Sequence, residues 1–246
     1  VADLTTSAIT AIASYDATDN IVVYAGGSMQ SMAATASLPF RGPGYAVDAS
    51  EAFGFGYVVG AAYQIPEMAL RVALTYRSEI TTEHDTVETG GYVVTGDTIT
   101  TVTTPQSLNL EFQSGLNQKT LVFGSVRWVN WDGFELAPPD YTNAEGPLVA
   151  YTNDTFTYSL GVGRKLTDTL SGAITVGYEA ALGTEPTPLA PTDGNISFGA
   201  GLTYSMGNVE ITGGAKYIWL GDSSGLAGDF SDNSALAFGL KIAVSI

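Results

Sequence analysis

Residues 195–246 alternate between two kinds of side chain. Across 195–206, Ile196, Phe198, Leu202, Tyr204 and Met206 share one parity, and Asn195, Ser197, Gly199, Gly201, Thr203 and Ser205 the other. A two-residue turn, Gly207-Asn208, leads into a second run in which Val209, Ile211, Tyr217 and Trp219 alternate with Glu210, Thr212, Gly214 and Lys216. The final run sets Leu236, Phe238, Leu240, Ile242 and Val244 against Ala235, Ala237, Gly239, Lys241 and Ala243. Successive side chains of a strand point to opposite faces, so each run has one apolar face and one small or polar face. A soluble sandwich shares this period, but Gly, Ala, Ser and Thr lack the bulk to fill its core. The simplest arrangement is a membrane barrel, with the apolar face against lipid and the small polar face lining a lumen.

The rest of the chain fits that reading. Eleven strand candidates cover 6–15, 20–35, 53–64, 68–83, 98–116, 119–131, 155–164, 169–180, 195–206, 208–220 and 234–246. Most are ten residues or longer, which is the length a tilted strand needs to cross a bilayer (about 9–11 residues). Their connections sort by length. Short turns fall at 16–19, 65–67, 117–118, 165–168 and 207–208, and long polar loops at 36–52, 84–97, 132–154, 181–194 and 221–233. Outer-membrane barrels have short periplasmic turns and longer external loops. The C-terminus is then periplasmic and the first strand starts outside. Together with an odd strand count, this predicts either that an N-terminal part carrying an odd number of strands is missing or that the weakly patterned stretch 6–15 is miscounted. Aromatic residues near the strand ends, including Tyr15, Tyr24, Tyr63, Trp128, Trp131, Tyr178 and Trp219, are expected in interfacial belts.

Charged residues make up only 14% of the 246 residues, and no apolar run reaches the roughly 18 residues of a spanning helix. A formal charge of −16 argues against nucleic-acid binding, and the absence of Cys excludes thiol chemistry and Cys-ligated metals. No G-x-S-x-G, phosphate loop or His/Cys metal motif is present, so no catalytic residue, metal or cofactor is assigned. The loop acids, among them Glu83, Asp85, Glu88, Asp140 and Glu185, are read as solvated surface, and His84 as a lone exposed histidine.

With only nine Lys and Arg, the placement of each is informative. An Arg on the lipid face near the midplane costs about 2–4 kcal/mol, so Arg71 and Arg77 belong inside. There they either hold an anionic head group or pair with Glu79, Glu111, Glu179 and Glu210. In the sixth candidate strand, an inward Arg127 brings Leu121 and Phe123 inward as well, which suits a path for a greasy ligand. Ile218 beside Lys216 repeats that mixed pattern. A local bulge reversing the register is the alternative.

Ala69–Ile80, reading ALRVALTYRSEI, resembles the R-x-G-L-x-Y-R-S-x-V strand of FadL-type long-chain fatty-acid transporters. The stretch from Thr104 through Leu110, with Trp128 to Leu136, resembles that family's P…L…G…W…W-x-x-F region. The approach to the last strand from Phe230 is also similar. The resemblance implies a fourteen-stranded outer-membrane barrel with an N-terminal plug, which moves hydrophobic compounds such as long-chain fatty acids passively. Residues 1–246 are then the barrel without its plug and leading strands. Arg71, Arg77, Leu121, Phe123, Arg127, Lys216 and Ile218 are the candidate ligand-binding lumen residues. Expected partners are membrane lipid and lipopolysaccharide, a hydrophobic small molecule, and a missing N-terminal segment or second chain. A polar-solute porin and a structural or adhesive surface barrel are the competing functions.

Overall fold

The computed structural model describes residues 2–39, 44–91, 93–183, 192–225 and 228–245; Glu185 and Ile246 lie outside them. Its strands in chain order are β1 (Ala2–Asp16), β2 (Ile21–Leu38), β3 (Tyr45–Ile65), β4 (Leu70–Arg77), β5 (Ile80–Gly90), β6 (Asp97–Thr104), β7 (Ser107–Asn117), β8 (Thr120–Val129), β9 (Glu135–Leu136), β10 (Val149–Ala150), β11 (Thr155–Lys165), β12 (Leu170–Glu179), β13 (Asn195–Met206), β14 (Val209–Leu220), β15 (Ser223–Gly225), β16 (Gly228–Phe230) and β17 (Ser234–Val244). An α-helix, α1, spans Pro139–Glu145. The wall is an antiparallel up-and-down sheet in the order β1-β2-β3-β4-β7-β8-β11-β12-β13-β14-β17. All eleven predicted strands lie in it. No helix among the described residues is long and apolar enough to cross a membrane.

Alternation sets the two faces. Ile174, Val176 and Tyr178 of β12 pair with Ala200, Phe198 and Ile196 of β13, which continue the row to Tyr217 and Trp219 of β14. This outer face is largely exposed, with Phe55 74% and Phe238 78% accessible, while Val122, Val126 and Trp128 of β8 are half-buried. Left in water, such a belt would carry a cost of about 25 cal/mol for every Å² of apolar surface; against lipid the cost vanishes. The inner face carries Ser197, Thr175, Gly199 and their neighbours.

The structure departs from the sequence-based expectation at the long-loop end, which is external by the sorting of loop lengths. β2 and β3 run for 18 and 21 residues, well past a membrane crossing. The two candidates at 68–83 and 98–116 are each broken, at Ser78-Glu79 and at Pro105-Gln106. Pro105 has no N–H for a ladder. Their outer halves are β5 and β6, a hairpin that pairs with the outer part of β3, Tyr45 to Ala49. Segments predicted as loops at 36–52 and 84–97 are therefore largely sheet.

This external sheet has a core of its own. Ala36, Tyr45 and Val47 pack against Tyr141 and Leu148, which belong to the β8–β11 connection carrying β9, α1 and β10. His84 and Glu88 are each only 1% exposed, which corrects both the exposed-histidine and the solvated-acid readings. Alternation across β5 turns Thr82, His84, Thr86 and Glu88 to the covered face and leaves Glu83 and Asp85 outside.

Candidate functional site

The lumen is the candidate site, and the pairing registers place the predicted residues on it. β8 meets β11 without a register shift: Leu121 faces Gly163, Phe123 faces Gly161, Ser125 faces Ser159 and Arg127 faces Thr157. The bulge alternative is thus excluded for this strand. On β4, Arg71, Ala73, Thr75 and Arg77 pair with Gln113, Glu111, Asn109 and Ser107 of the same inner face. On β14, Lys216 and Ile218 face Gly199 and Ser197.

These seven residues fall into separate groups. Arg77 and Arg127 meet at the external end, around a cavity of about 410 Å³ that also takes in Gln30, Ile80, Trp131 and Glu179. Leu121 and Phe123 meet at the short-turn end, around a second cavity of about 420 Å³. Arg71 stands at the base of β4, where it donates to Gln64 Oε1 at 3.4 Å. Lys216 lines a third cavity with Lys241, away from the arginines.

The expected charge pairs do not form. Among the described residues the ion pair is Lys165–Asp168, at 3.3 Å, and Arg71, Arg77, Arg127 and Lys216 make none. Glu179 instead accepts a 2.6 Å hydrogen bond from Thr157, and Glu210 one from Ser205. The two outer guanidiniums thus face the cavity without a carboxylate partner.

Glycines open the lumen to aromatic rings. The Phe123 ring lies over Gly161, where a Cβ would overlap it. Tyr24 lies over Gly60 in the same way, and its hydroxyl sits 2.6 Å from Thr75 Oγ1. Tyr24 is therefore a lumen residue and not part of the interfacial belt. Trp131 also leaves the belt: it stacks edge-on with Phe134 and Tyr151, at 5.1 and 5.3 Å, beside the outer cavity. Asp154 ties down the base of that connection by accepting from Trp128 Nε1, Asn130 Nδ2 and the Asp132 N–H. The Asn130 amide leads the donors that hold its carboxyl below the usual range.

Above the cavity, two carboxylates clasp the β8–β11 connection to the hairpin. Glu88 accepts from Tyr45 Oη, Thr98 Oγ1 and the backbone N–H groups of Asp140 and Tyr141, all within 3.0 Å. In return Asp140 accepts from the N–H groups of Val94, Thr95 and Gly96 and from Thr95 Oγ1. The Gly96 and Thr95 N–H groups hold the Asp140 carboxyl below its ordinary range against the opposing effect of burial. Burial, then the hydrogen bond to Glu88, raises the Tyr45 hydroxyl. No group of three or more His, Cys, Asp or Glu among the described residues is placed to hold a metal ion.

Comparison with known proteins gives a consistent picture. The family described as Outer membrane protein transport protein (OMPP1/FadL/TodX) matches residues 9–226. The fold is similar to a Pseudomonas aeruginosa FadL homologue, with TM-score 0.72 and 15% identity over 98% of this chain and 66% of that one. It is similar to the Ralstonia pickettii toluene transporter TbuX, with TM-score 0.64 and 15% identity over 99% of this chain and 68% of that one. The Pseudomonas putida toluene transporter TodX gives 0.62 and 14%, over 99% and 69%. The chain thus spans about two thirds of the length of these structures. No curated protein matches it.

Proposed function

The chain belongs to the outer membrane protein transport family (OMPP1/FadL/TodX), an outer-membrane barrel family of transport proteins, and from that premise we propose that it passes hydrophobic compounds through its lumen down their gradient. Long-chain fatty acids are the finer assignment. The observation that carries the reading is Leu121 and Phe123 on the inner face, where the other face of the same strand already supplies the lipid contact. A water-filled pore has no use for a phenyl ring laid over a glycine. A greasy solute does, because each buried CH₂ gains about 0.8 kcal/mol. Arg71, Arg77, Arg127, Lys216 and Ile218 complete the proposed lining. Diffusion down a gradient calls for no catalytic group and no cofactor.

The test is uptake of a labelled long-chain fatty acid into proteoliposomes holding the full-length protein. Phe123→Asp and Leu121→Asp are expected to slow uptake at least about tenfold, since one desolvation mismatch of roughly 1.4 kcal/mol already gives that factor. Entry of a small sugar is expected to stay at the level of protein-free vesicles. Rapid sugar entry with no effect of either substitution would refute the reading in favour of a polar-solute porin.

A further inference from the structure

We propose that the lipid face of β11–β14 holds one anionic phospholipid of the periplasmic leaflet, with its phosphate on Arg164 and an acyl chain in a groove floored by Gly172, Ala200 and Gly213. The site lies on the outside of the wall, so it does not depend on which solute the lumen passes.

Most rows of the outer face are bulky. Leu160, Val176, Phe198 and Tyr217 form one row across β11 to β14, and Leu170, Tyr204 and Ile211 another nearer the short turns. Between them two rows are thinned: Val162, Ile174, Ala200 and Ala215, then Arg164, Gly172, Leu202 and Gly213. The result is a groove of about 540 Å³ walled by Val162, Leu166, Ile174 and Leu202. A Cβ on Gly213 would meet nothing within 4 Å, so no neighbouring side chain fills the space. In a bilayer such a groove gains nothing by leaving water, because lipid tails are as apolar as its walls. The groove supplies shape, and selectivity needs a polar group.

Arg164 is that group. Arg71, Arg77, Arg127, Lys216 and Lys241 all face the lumen, and Lys165 at the end of β11 is paired with Asp168. Among the described strand residues, Arg164 is the basic side chain that the register turns outward. It makes no ion pair and no side-chain hydrogen bond among those residues, and the hydroxyl of its cross-strand neighbour Thr120 also lacks a partner. Arg164 stands one residue from the end of β11, so it avoids the cost of about 2–4 kcal/mol that an arginine meets at the midplane. Loop sorting makes that end periplasmic, and the periplasmic leaflet of an outer membrane is built of phospholipids. A guanidinium fork matches a phosphate through two parallel hydrogen bonds. The thinned row then deepens, from one residue short of the strand end at Arg164 to four residues inside β14 at Gly213. It crosses three strand spacings, about 14 Å at roughly 4.8 Å each. A chain leaving a phosphate at Arg164 thus enters the groove toward the midplane, the direction in which lipid tails run.

The experiment titrates delipidated full-length protein with phosphatidylglycerol or phosphatidylcholine of the same chains and counts bound lipid by native mass spectrometry. Wild type is expected to take up one phosphatidylglycerol about tenfold more tightly than phosphatidylcholine. Arg164→Gln should erase that preference, a loss of about tenfold, as for removal of a charge-assisted hydrogen bond. Gly213→Leu fills the groove without touching the arginine and should weaken both lipids equally. Lys241→Gln, on the lumen side, should behave as wild type. Wild type alone gives a second reading that no misfolded variant can spoil: phosphatidylglycerol with a photoreactive acyl chain should cross-link within 162–174 or 200–213. Equal affinity for the two lipids, a preference that survives Arg164→Gln, or cross-links confined to other strands overturns the proposal. So does a wild-type dimer that Gly213→Leu dissociates, which assigns the groove to a second copy, or displacement of phosphatidylglycerol by lipopolysaccharide, which assigns it to the other leaflet. Solute uptake through the lumen is expected to be the same in every one of these variants.

Discussion

Glu88→Ala should release α1 from the hairpin. The wild-type carboxylate is 1% exposed and accepts four hydrogen bonds, two from backbone N–H groups at 3.0 and 2.9 Å and two from hydroxyls at 2.9 and 3.0 Å. The Tyr45 and Thr98 hydroxyls can turn to other acceptors, but the Asp140 and Tyr141 N–H groups point where the helix holds them. Leaving each of those buried donors unsatisfied costs about 1–3 kcal/mol, so the local opening of the connection becomes easier by roughly 2–6 kcal/mol. The middle of that range, about 4 kcal/mol, is nearly three powers of ten in an opening constant. Amide hydrogen exchange on the full-length protein in nanodiscs reads this out directly, since protection at Asp140 and Tyr141 should fall by two to three powers of ten. Glu88→Gln should not restore it, because an amide turned toward the two N–H groups can offer only one oxygen. Glu83→Ala, on the exposed face of the same strand, should leave protection unchanged. Unaltered protection in Glu88→Ala, or an equal fall in Glu83→Ala, would refute the clasp.

Three further outcomes follow from the faces and the loops. Gly60→Ala should destabilise the barrel by about 1–3 kcal/mol in urea unfolding, because the new Cβ meets the Tyr24 ring; Gly27→Ala, with nothing within 4 Å, should stay within about 0.5 kcal/mol of wild type. Ile174→Arg puts a cation on the lipid face and should cost about 2–4 kcal/mol in the same assay, while Thr175→Arg, one residue on and inside, should cost far less. The depressed carboxyls of Asp140 and Asp154 contribute stability that is fully present above the ordinary aspartate value of about 3.9 and is lost as pH falls through their lower folded values. Hydrogen-exchange protection in residues 130–154, taken relative to the intrinsic exchange rate at each pH, should therefore be flat from neutrality to about pH 4 and fall only below it. A loss of protection centred near pH 6 would contradict that assignment.

The membrane half of the fold was legible because lipid and lumen ask for opposite side chains, and alternation records the contrast residue by residue. Arg71 and Arg77 could be assigned to the inner face for that reason, whereas Leu121 and Phe123 ran against it and followed only from their shared parity with Arg127, with a bulge as the alternative. Beyond the membrane the contrast fades. Residues 80–88 read Ile-Thr-Thr-Glu-His-Asp-Thr-Val-Glu, polar on both faces, so a strand buried on one side has the composition of a solvated loop. The available signal was the Thr content and the strict two-residue spacing of Thr82, His84, Thr86 and Glu88. What covers that face lies some fifty residues on, in α1, and no local pattern announces it. Gln30 and Trp131 were missed for a similar reason: Gln30 sits among small residues, and Trp131 has the strand-end position of any interfacial aromatic.

The two halves are joined by one extra residue. Met32 pairs with Ala52 and Ala34 with Ala49, so two steps along β2 match three along β3, and Ser50 and Glu51 are both exposed. Below this bulge the even residues of β3 face inward: Ala52, Gly54 and Val58. Above it the odd ones do: Tyr45, Val47 and Ala49. A strand in unbroken register would turn Tyr45 and Val47 outward, and the external core with Tyr141 and Leu148 would lose its floor. The change of parity has a cost, because the ladder to β5 ends at Ala49 and Ser50 is left without a ladder contact to β2 or β5. His84 supplies a contact instead: its Nδ1–H donates to Ser50 O at 2.7 Å, while Nε2 lies 2.8 Å from Thr82 Oγ1. The lone histidine is thus accounted for by the bulge, and the bulge by the need to hold an external cap over a wall whose parity was set by the membrane.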